Sequence, residues 1–191
     1  MNVLKKILIG IGGLIVLFLL VAAVLPGSYR VERAIAINQT PEVVFEHVAN
    51  LNNWLHWNPW TEIDPAAKNT FTGEIRQVGS AWAWEGTTIG AGSLTIENIE
   101  PNERVEFKLV FTAPRAGEAK DCWTFQPING GTKVVWRNEG ALDYPLGRYV
   151  GLMLEGSILG PQFEKGLANL ARVCEASPAR MTTSLVPSEG E

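Results

Sequence analysis

Seven tryptophans are the side chains of this sequence best suited to form a binding site. All of them lie between positions 54 and 136: Trp54, Trp57, Trp60, Trp82, Trp84, Trp123 and Trp136. Each offers a large apolar surface and one N–H that needs a partner. They could line a cavity for an apolar or aromatic ligand, or they could pack a curved sheet, which is the commoner role. Trp82 and Trp84 share one face of a predicted strand and are the stronger candidates for a cavity wall.

Two histidines and two cysteines are the remaining side chains with distinctive chemistry. His56 lies among the tryptophans and could act as a general base near neutral pH, but no neighbour in the sequence orients its ring. His47 is predicted to be exposed on a helix. For Cys122 and Cys174, two separate buried thiols are favoured over a disulfide, whose Cα atoms must lie within about 7 Å. No spacing resembles a metal site, so we expect neither metal nor cofactor.

Four carboxylates lie in or just after predicted strands, namely Glu85, Asp121, Glu139 and Asp143. A carboxyl group that faces a dry cavity has a raised pKa and can act as an acid or a base. Because successive side chains of a strand point to opposite faces, about half of such groups face solvent. Glu85 follows Trp84 directly, so the two side chains lie on opposite faces of the strand. No catalytic residue is therefore assigned. An inward Asp121 or His56 within hydrogen-bond reach of a second polar group would favour an enzyme.

The sequence begins with an apolar segment long enough to cross a bilayer. As a helix, residues 7–25 would span about 28 Å, and Pro26 would end it. This length favours an uncleaved anchor over a cleaved signal peptide, whose apolar region is shorter. Lys5 and Lys6 precede the segment, so the positive-inside rule favours a cytoplasmic amino terminus. The soluble domain would then lie in the periplasm or outside the cell.

The charge balance excludes one class of partner. The chain has 16 basic and 20 acidic side chains, for a net charge of −4. A nucleic-acid-binding protein needs a basic face to neutralise phosphates, and no such excess exists here. We therefore expect no nucleic-acid partner, while the sequence says nothing about a protein partner.

The order of predicted elements indicates an α+β domain. A strand at residues 31–37 leads into a helix with Thr40 as N-cap and Pro41 at its first position. Six further strands are predicted at 71–77, 81–85, 90–99, 105–111, 121–126 and 132–138. A final helix places Phe163, Leu167 and Leu170 on one stripe. Residues 146–159 are predicted to belong to the same helix, which Gly160-Pro161 should kink or interrupt.

Four passages resemble the START-like (SRPBCC) superfamily, and within it the polyketide cyclase/dehydrase and lipid-transport group. They are residues 35–45, the tryptophan-rich residues 54–60 (WLHWNPW), residues 90–96 with 101–105, and residues 131–136 with 163–170. The resemblance implies a helix-grip fold, a curved antiparallel sheet wrapped around a long carboxy-terminal helix. It also implies an internal apolar cavity, but no single chemistry.

These observations divide the chain into an anchor at residues 1–27, a helix-grip domain at 28–176 and a disordered tail at 177–191. The leading hypothesis is a membrane-anchored domain that binds an apolar small molecule or lipid without catalysis. The alternatives are a cyclase/dehydratase-like enzyme and a sensor or assembly module with a protein partner. The predicted cavity residues are Trp57, Trp82, Trp84, Phe107, Trp123, Trp136, Tyr149 and Met153.

Overall fold

The computed structural model describes residues 2–176, so the predicted disordered tail at 177–191 lies outside the described residues. The amino-terminal half contains α1 (Val3–Val24), β1 (Ser28–Ile37), α2 (Pro41–Ala49), a 3-10 turn (Leu51–His56), α3 (Pro59–Ile63), β2 (Lys68–Thr72) and β3 (Ala81–Glu85). The remainder contains β4 (Ala91–Glu100), β5 (Arg104–Ala113), β6 (Gly117–Ile128), β7 (Gly131–Ala141), α4 (Leu146–Met153), a π-helical turn (Leu154–Ile158) and α5 (Leu159–Ala176).

The seven strands form one antiparallel sheet in the order β1-β7-β6-β5-β4-β3-β2. Neighbours from β2 to β7 are joined in chain order, and β1 pairs with β7 at the far edge. Gly130, which has a φ of +84°, allows the tight turn between β6 and β7 predicted from the Asn-Gly pair. Alternation along each strand directs one set of side chains toward the helices.

α5 covers the inner face of this sheet and closes the core. Its stripe of Phe163, Leu167, Leu170 and Cys174 is buried, as are Val44 and Phe45 of α2. Burying these apolar faces is the main stabilising contribution to such a two-layer arrangement. The predicted α+β helix-grip architecture, with one apolar helix before it, is confirmed.

Two local predictions are corrected, and two others are confirmed. The strand expected at residues 71–77 ends at Thr72, because Gly73 adopts a φ of +81° and turns the chain back against Ser80. Thr40 occupies the N-cap position of α2 but makes no side-chain capping bond. His47 is half-buried rather than exposed, since the Trp57 indole packs over its helix and donates to the His47 carbonyl. Cys122 and Cys174 are separate buried thiols, as predicted.

The long final helix is interrupted one turn before the predicted position. The π-helical turn replaces regular α-helix just before Gly160, because Pro161 has no N–H to donate to the preceding turn. A Cβ atom at Gly160 would lie 1.9 Å from the Glu155 carbonyl oxygen. The glycine therefore permits the wide turn between α4 and α5.

α1 is apolar from Ile7 to its end, after Lys5 and Lys6 in its first turn. Its 22 residues correspond to about 33 Å of helix, and its most apolar window has a mean hydropathy of 3.0. A helix of this kind could be a membrane span or a signal sequence.

Candidate functional site

A cavity of about 280 Å³ lies between the inner face of the sheet and the helices that cover it. Its walls are mostly apolar, and every strand from β3 to β7, together with β1, contributes to them. The lining side chains are Tyr29, Trp54, Asn58, Trp60, Trp82, Trp84, Ile89, Leu94, Leu109, Phe111, Asp121, Trp136, Asn138, Leu154, Leu159 and Phe163. Apolar walls with a few grouped polar atoms are typical of small-molecule sites.

Aromatic rings form two of these walls. Trp82 and Trp84 project inward from β3, with ring centroids 5.1 Å apart. Gly92 on the neighbouring strand leaves room for Trp84, because a Cβ atom there would lie 2.5 Å from that ring. On the opposite side Trp136 stacks on Phe163 with centroids 3.9 Å apart. These contacts hold the rings in fixed orientations and keep the cavity from collapsing.

One polar cluster interrupts the apolar surface. Asp121 on β6 accepts a hydrogen bond from the Trp136 indole at 3.0 Å and a short one from the Asn138 amide. The Tyr29 hydroxyl donates to the Asn138 side-chain oxygen at 2.7 Å. Asp121 and Asn138 are both about 3% exposed, so the cluster is shielded from bulk water. It can orient a polar group of a ligand or take part in proton transfer.

Burial changes the proton affinity of this cluster. Desolvation raises the pKa of Asp121 to about 6, although the bonds from Asn138 and Trp136 favour its charged form. The pKa of Tyr29 is raised to about 12, first by burial and then by the charge of Asp121. Asp121 therefore exchanges its proton close to neutral pH, whereas Tyr29 remains a hydrogen-bond donor.

The structure separates the predicted cavity residues into three groups. Trp82, Trp84 and Trp136 line the cavity. Trp57, Phe107 and Trp123 are fully buried in the core behind it, where Trp123 stacks on Trp136. A role of the first group in ligand binding stays a prediction.

Tyr149 and Met153 form the third group, and neither is among the side chains that line this cavity. They belong to α4, which precedes the π-helical turn. Tyr149 stacks on Phe18 of α1 with ring centroids 4.5 Å apart, and Met153 is exposed.

Sequence reasoning omitted two members of the polar cluster, Tyr29 and Asn138. Strand alternation could have identified both, because residues two apart on a strand face the same side of the sheet. Asn138 lies two residues after Trp136, and Tyr29 lies two residues before Val31. Among the other candidates, His56, Glu85 and Asp143 are exposed, and Glu139 is half-buried on β7. Within residues 2–176, no three His, Cys, Asp or Glu side chains are grouped closely enough to bind a metal.

Several solved structures are similar to this chain in fold. A Chromobacterium violaceum protein, CV1439, is 19% identical, with a TM-score of 0.54 over 80% of this chain and 99% of its own. A Thermobifida fusca protein is 14% identical, with a TM-score of 0.61 over 78% of this chain and 95% of its own. The di-domain ARO/CYC StfQ of the steffimycin biosynthetic pathway is 12% identical, with a TM-score of 0.59. That alignment covers 78% of this chain and 51% of StfQ.

At these identities the structural matches show the fold alone. No curated protein is significantly similar in sequence. The family model described as "Polyketide cyclase / dehydrase and lipid transport" matches residues 28–175, nearly the whole of the domain that contains the cavity. The chain belongs to the polyketide cyclase/dehydrase and lipid-transport family of the SRPBCC superfamily.

Proposed function

We propose that the domain binds an apolar small molecule or lipid in the cavity, with one polar group of the ligand directed to the Asp121 and Asn138 cluster. The observation that carries this proposal is the buried polar cluster of Asp121 and Asn138 in a mostly apolar, aromatic-walled cavity. Transfer of apolar ligand surface from water into such a site contributes about 25 cal/mol per Å². The polar cluster would select ligands that can form a hydrogen bond there, since an unpaired buried polar group is costly.

We further propose that α1 is an uncleaved anchor that holds this domain at a membrane. Its length fits the hydrocarbon core of a bilayer, and Lys5 and Lys6 favour a cytoplasmic amino terminus. The domain would then face the periplasm or the extracellular space. Its ligands would be molecules that dissolve in lipid.

Catalysis is a second candidate function, because Asp121 faces the cavity within hydrogen-bond reach of other polar groups, as an acid or base would need. Its carboxyl group faces the cavity, hydrogen bonds to two polar neighbours and has a pKa of about 6. Such a group can donate and accept a proton in one reaction cycle, as a cyclization or dehydration requires. The binding function does not depend on this step.

Native mass spectrometry of the full chain in detergent, after incubation with a lipid and metabolite extract, tests both candidates. We expect a discrete added mass that disappears on denaturation. The variant Leu109→Trp, which fills part of the cavity, should lose this mass, and the matched surface variant Val78→Trp should keep it. The ligand identified in this way is then added back as a pure compound, and its conversion to a product lighter by one water would favour the enzyme. The absence of any added mass would contradict ligand binding.

A further inference from the structure

The exposed face of α4 is unusually apolar for a protein surface. Leu146, Val150, Leu152 and Met153 are 54%, 47%, 63% and 55% exposed. The single charged residue of the helix, Arg148, points toward α1 instead of solvent. Grouped apolar side chains that remain exposed commonly mark a surface that contacts a partner or a membrane.

Arg148 fixes α4 to the end of α1. Its guanidinium donates hydrogen bonds to the carbonyl oxygens of Ala22, Ala23 and Leu25 at 3.0, 3.2 and 3.2 Å. The Ala22 carbonyl has no helical partner, because the residue four positions later is Pro26, which has no N–H. A positive charge is also favourable at the carboxyl end of a helix. α4 is therefore held directly beside the carboxyl end of α1.

Two tyrosines of the same region extend this contact along α1. The Tyr149 hydroxyl donates to the Phe18 carbonyl at 2.7 Å, and the Tyr144 hydroxyl donates to the Leu19 carbonyl at 3.0 Å. Phe18 lies about 9 Å along the helix axis from Val24. Since α1 is only slightly longer than the hydrocarbon core, the Phe18 carbonyl would lie several ångströms inside that core. The backbone of α4, one tyrosine side chain away from it, would then lie near the boundary of headgroups and acyl chains. Tyrosine is enriched at that depth.

A second pocket of about 160 Å³ lies beneath α4, against Pro26, Leu142 and Gly151. Two of its lining residues, Tyr29 and Leu154, also line the large cavity. The two spaces are thus separated by shared side chains. Leu154 begins the π-helical turn, where the regular helix is already broken.

We propose that the exposed face of α4 lies in the headgroup region of a bilayer and that the pocket beneath it is the route by which a lipid-borne apolar ligand reaches the cavity. This inference rests on the proposed function, membrane anchoring by α1 and ligand binding in the cavity. A ligand on this route would pass from lipid to protein with little exposure to water, which removes the largest barrier to its transfer. An interfacial helix with apolar side chains on one face is a common way to contact a bilayer surface.

The depth of α4 is tested with single labels on the full chain in phospholipid vesicles. Met153→Cys and Val78→Cys each introduce an exposed thiol, the second at the opposite edge of the sheet, for attachment of an environment-sensitive fluorophore. The unsubstituted chain, whose two cysteines are buried, is treated in parallel. Lipids that carry a nitroxide near the headgroup should quench the label at position 153 strongly and the label at position 78 weakly.

Two negative results of this measurement have different meanings. Equal, weak quenching at both positions in a chain that resists extraction from the vesicles would overturn the docking of α4 and leave the anchor intact. Extraction of the chain by alkaline carbonate would contradict the anchor itself and the docking that depends on it. Strong self-quenching between labelled copies, without quenching by lipid, would assign the apolar face of α4 to a protein contact and overturn the proposal.

The route is tested with brominated palmitate delivered from vesicles, because bromine quenches tryptophan and every tryptophan lies between positions 54 and 136. The double variant Val150→Glu/Met153→Glu makes the α4 face charged without changing the lining of the cavity or of the second pocket. We expect quenching to become about tenfold slower at the same final amplitude, because charged side chains weaken interfacial binding. Val78→Glu should keep the original rate.

Equal rates for the α4 variant and the unsubstituted chain would overturn the route through the bilayer surface. No quenching at all in the unsubstituted chain, in vesicles and in detergent, would contradict cavity binding and the route together. The label depth at position 153 is independent of that result.

Discussion

α5 and α4 both carry apolar side chains at helical spacing, but only α5 buries them against the sheet. Leu167 and Leu170 of α5 are at most 2% exposed, whereas Leu146 and Leu152 of α4 are more than half exposed. The two helices follow one another in the chain, separated only by the π-helical turn at Leu154–Ile158. An apolar stripe shows that a helix has a contact face but does not show which surface covers it.

The largest difference between the two helices should be in stability. We expect Leu170→Ala to lower the free energy of unfolding by about 3 kcal/mol, because it leaves a cavity in the core. Leu152→Ala should change it by less than about 0.5 kcal/mol, since its side chain is exposed. Urea unfolding of the full chain in detergent measures both values. Similar losses for the two variants would show that α4 packs against the domain as tightly as α5 does.

The pH dependence of the free energy of unfolding should also differ between the two regions, because a carboxylate in the interior contributes to it and an exposed one beside α4 does not. Because the pKa of Asp121 is about 6 in the folded chain and lower in the unfolded chain, the folded state binds its proton more tightly. The resulting stabilisation is complete below about pH 4 and is lost as the pH rises through about 6, with a total on the order of 3 kcal/mol. Unfolding measured from pH 4 to pH 7 should therefore show this decline.

Two variants test whether Asp121 causes this decline in stability. Asp121→Asn should remove this part of the pH profile, because an amide does not titrate. Asp143→Asn changes an exposed carboxylate just before α4 and should leave the profile unchanged. A profile that survives the Asp121 substitution would show that another buried group titrates in this range.

The sheet and α5 could be predicted from the sequence because their signals are local. Strand alternation from Val105 to Phe111 and the stripe of Phe163, Leu167 and Leu170 each correspond to a periodicity of the backbone. The same alternation puts Trp136 and Asn138 on one face of β7, so the inward position of Asn138 could have been predicted from the sequence. Its pairing with Asp121 depended on the β6–β7 register, which sets Asp121 opposite Asn138.

The division of the tryptophans could not be predicted in this way. Trp123 and Trp136 face the same side of the sheet and are register partners, yet only Trp136 reaches the cavity. Their difference arises from long-range packing, since Phe163 on one side and Trp123 on the other determine where the Trp136 ring lies. The positions of Tyr149 and Met153 could not be predicted for a similar reason, because a π-helical turn separates α4 from α5 and composition does not encode where such a turn forms.

The smallest expected effect concerns the contact between α4 and α1. Tyr149→Phe keeps the ring that stacks on Phe18 and removes only the hydroxyl that donates to the Phe18 carbonyl. That bond should contribute about 1 kcal/mol to holding α4 against α1, so its loss should speed hydrogen exchange of the α4 amides about fivefold in vesicles. Tyr149→Ala removes the stacked ring as well and should speed exchange further. Amides of α5 serve as the internal reference, because Leu167 and Leu170 hold that helix on the sheet independently of α1. If α4 exchanges at the same rate in all three chains, the Tyr149 contact does not hold it, and Arg148 and Tyr144 would have to fix α4 against α1.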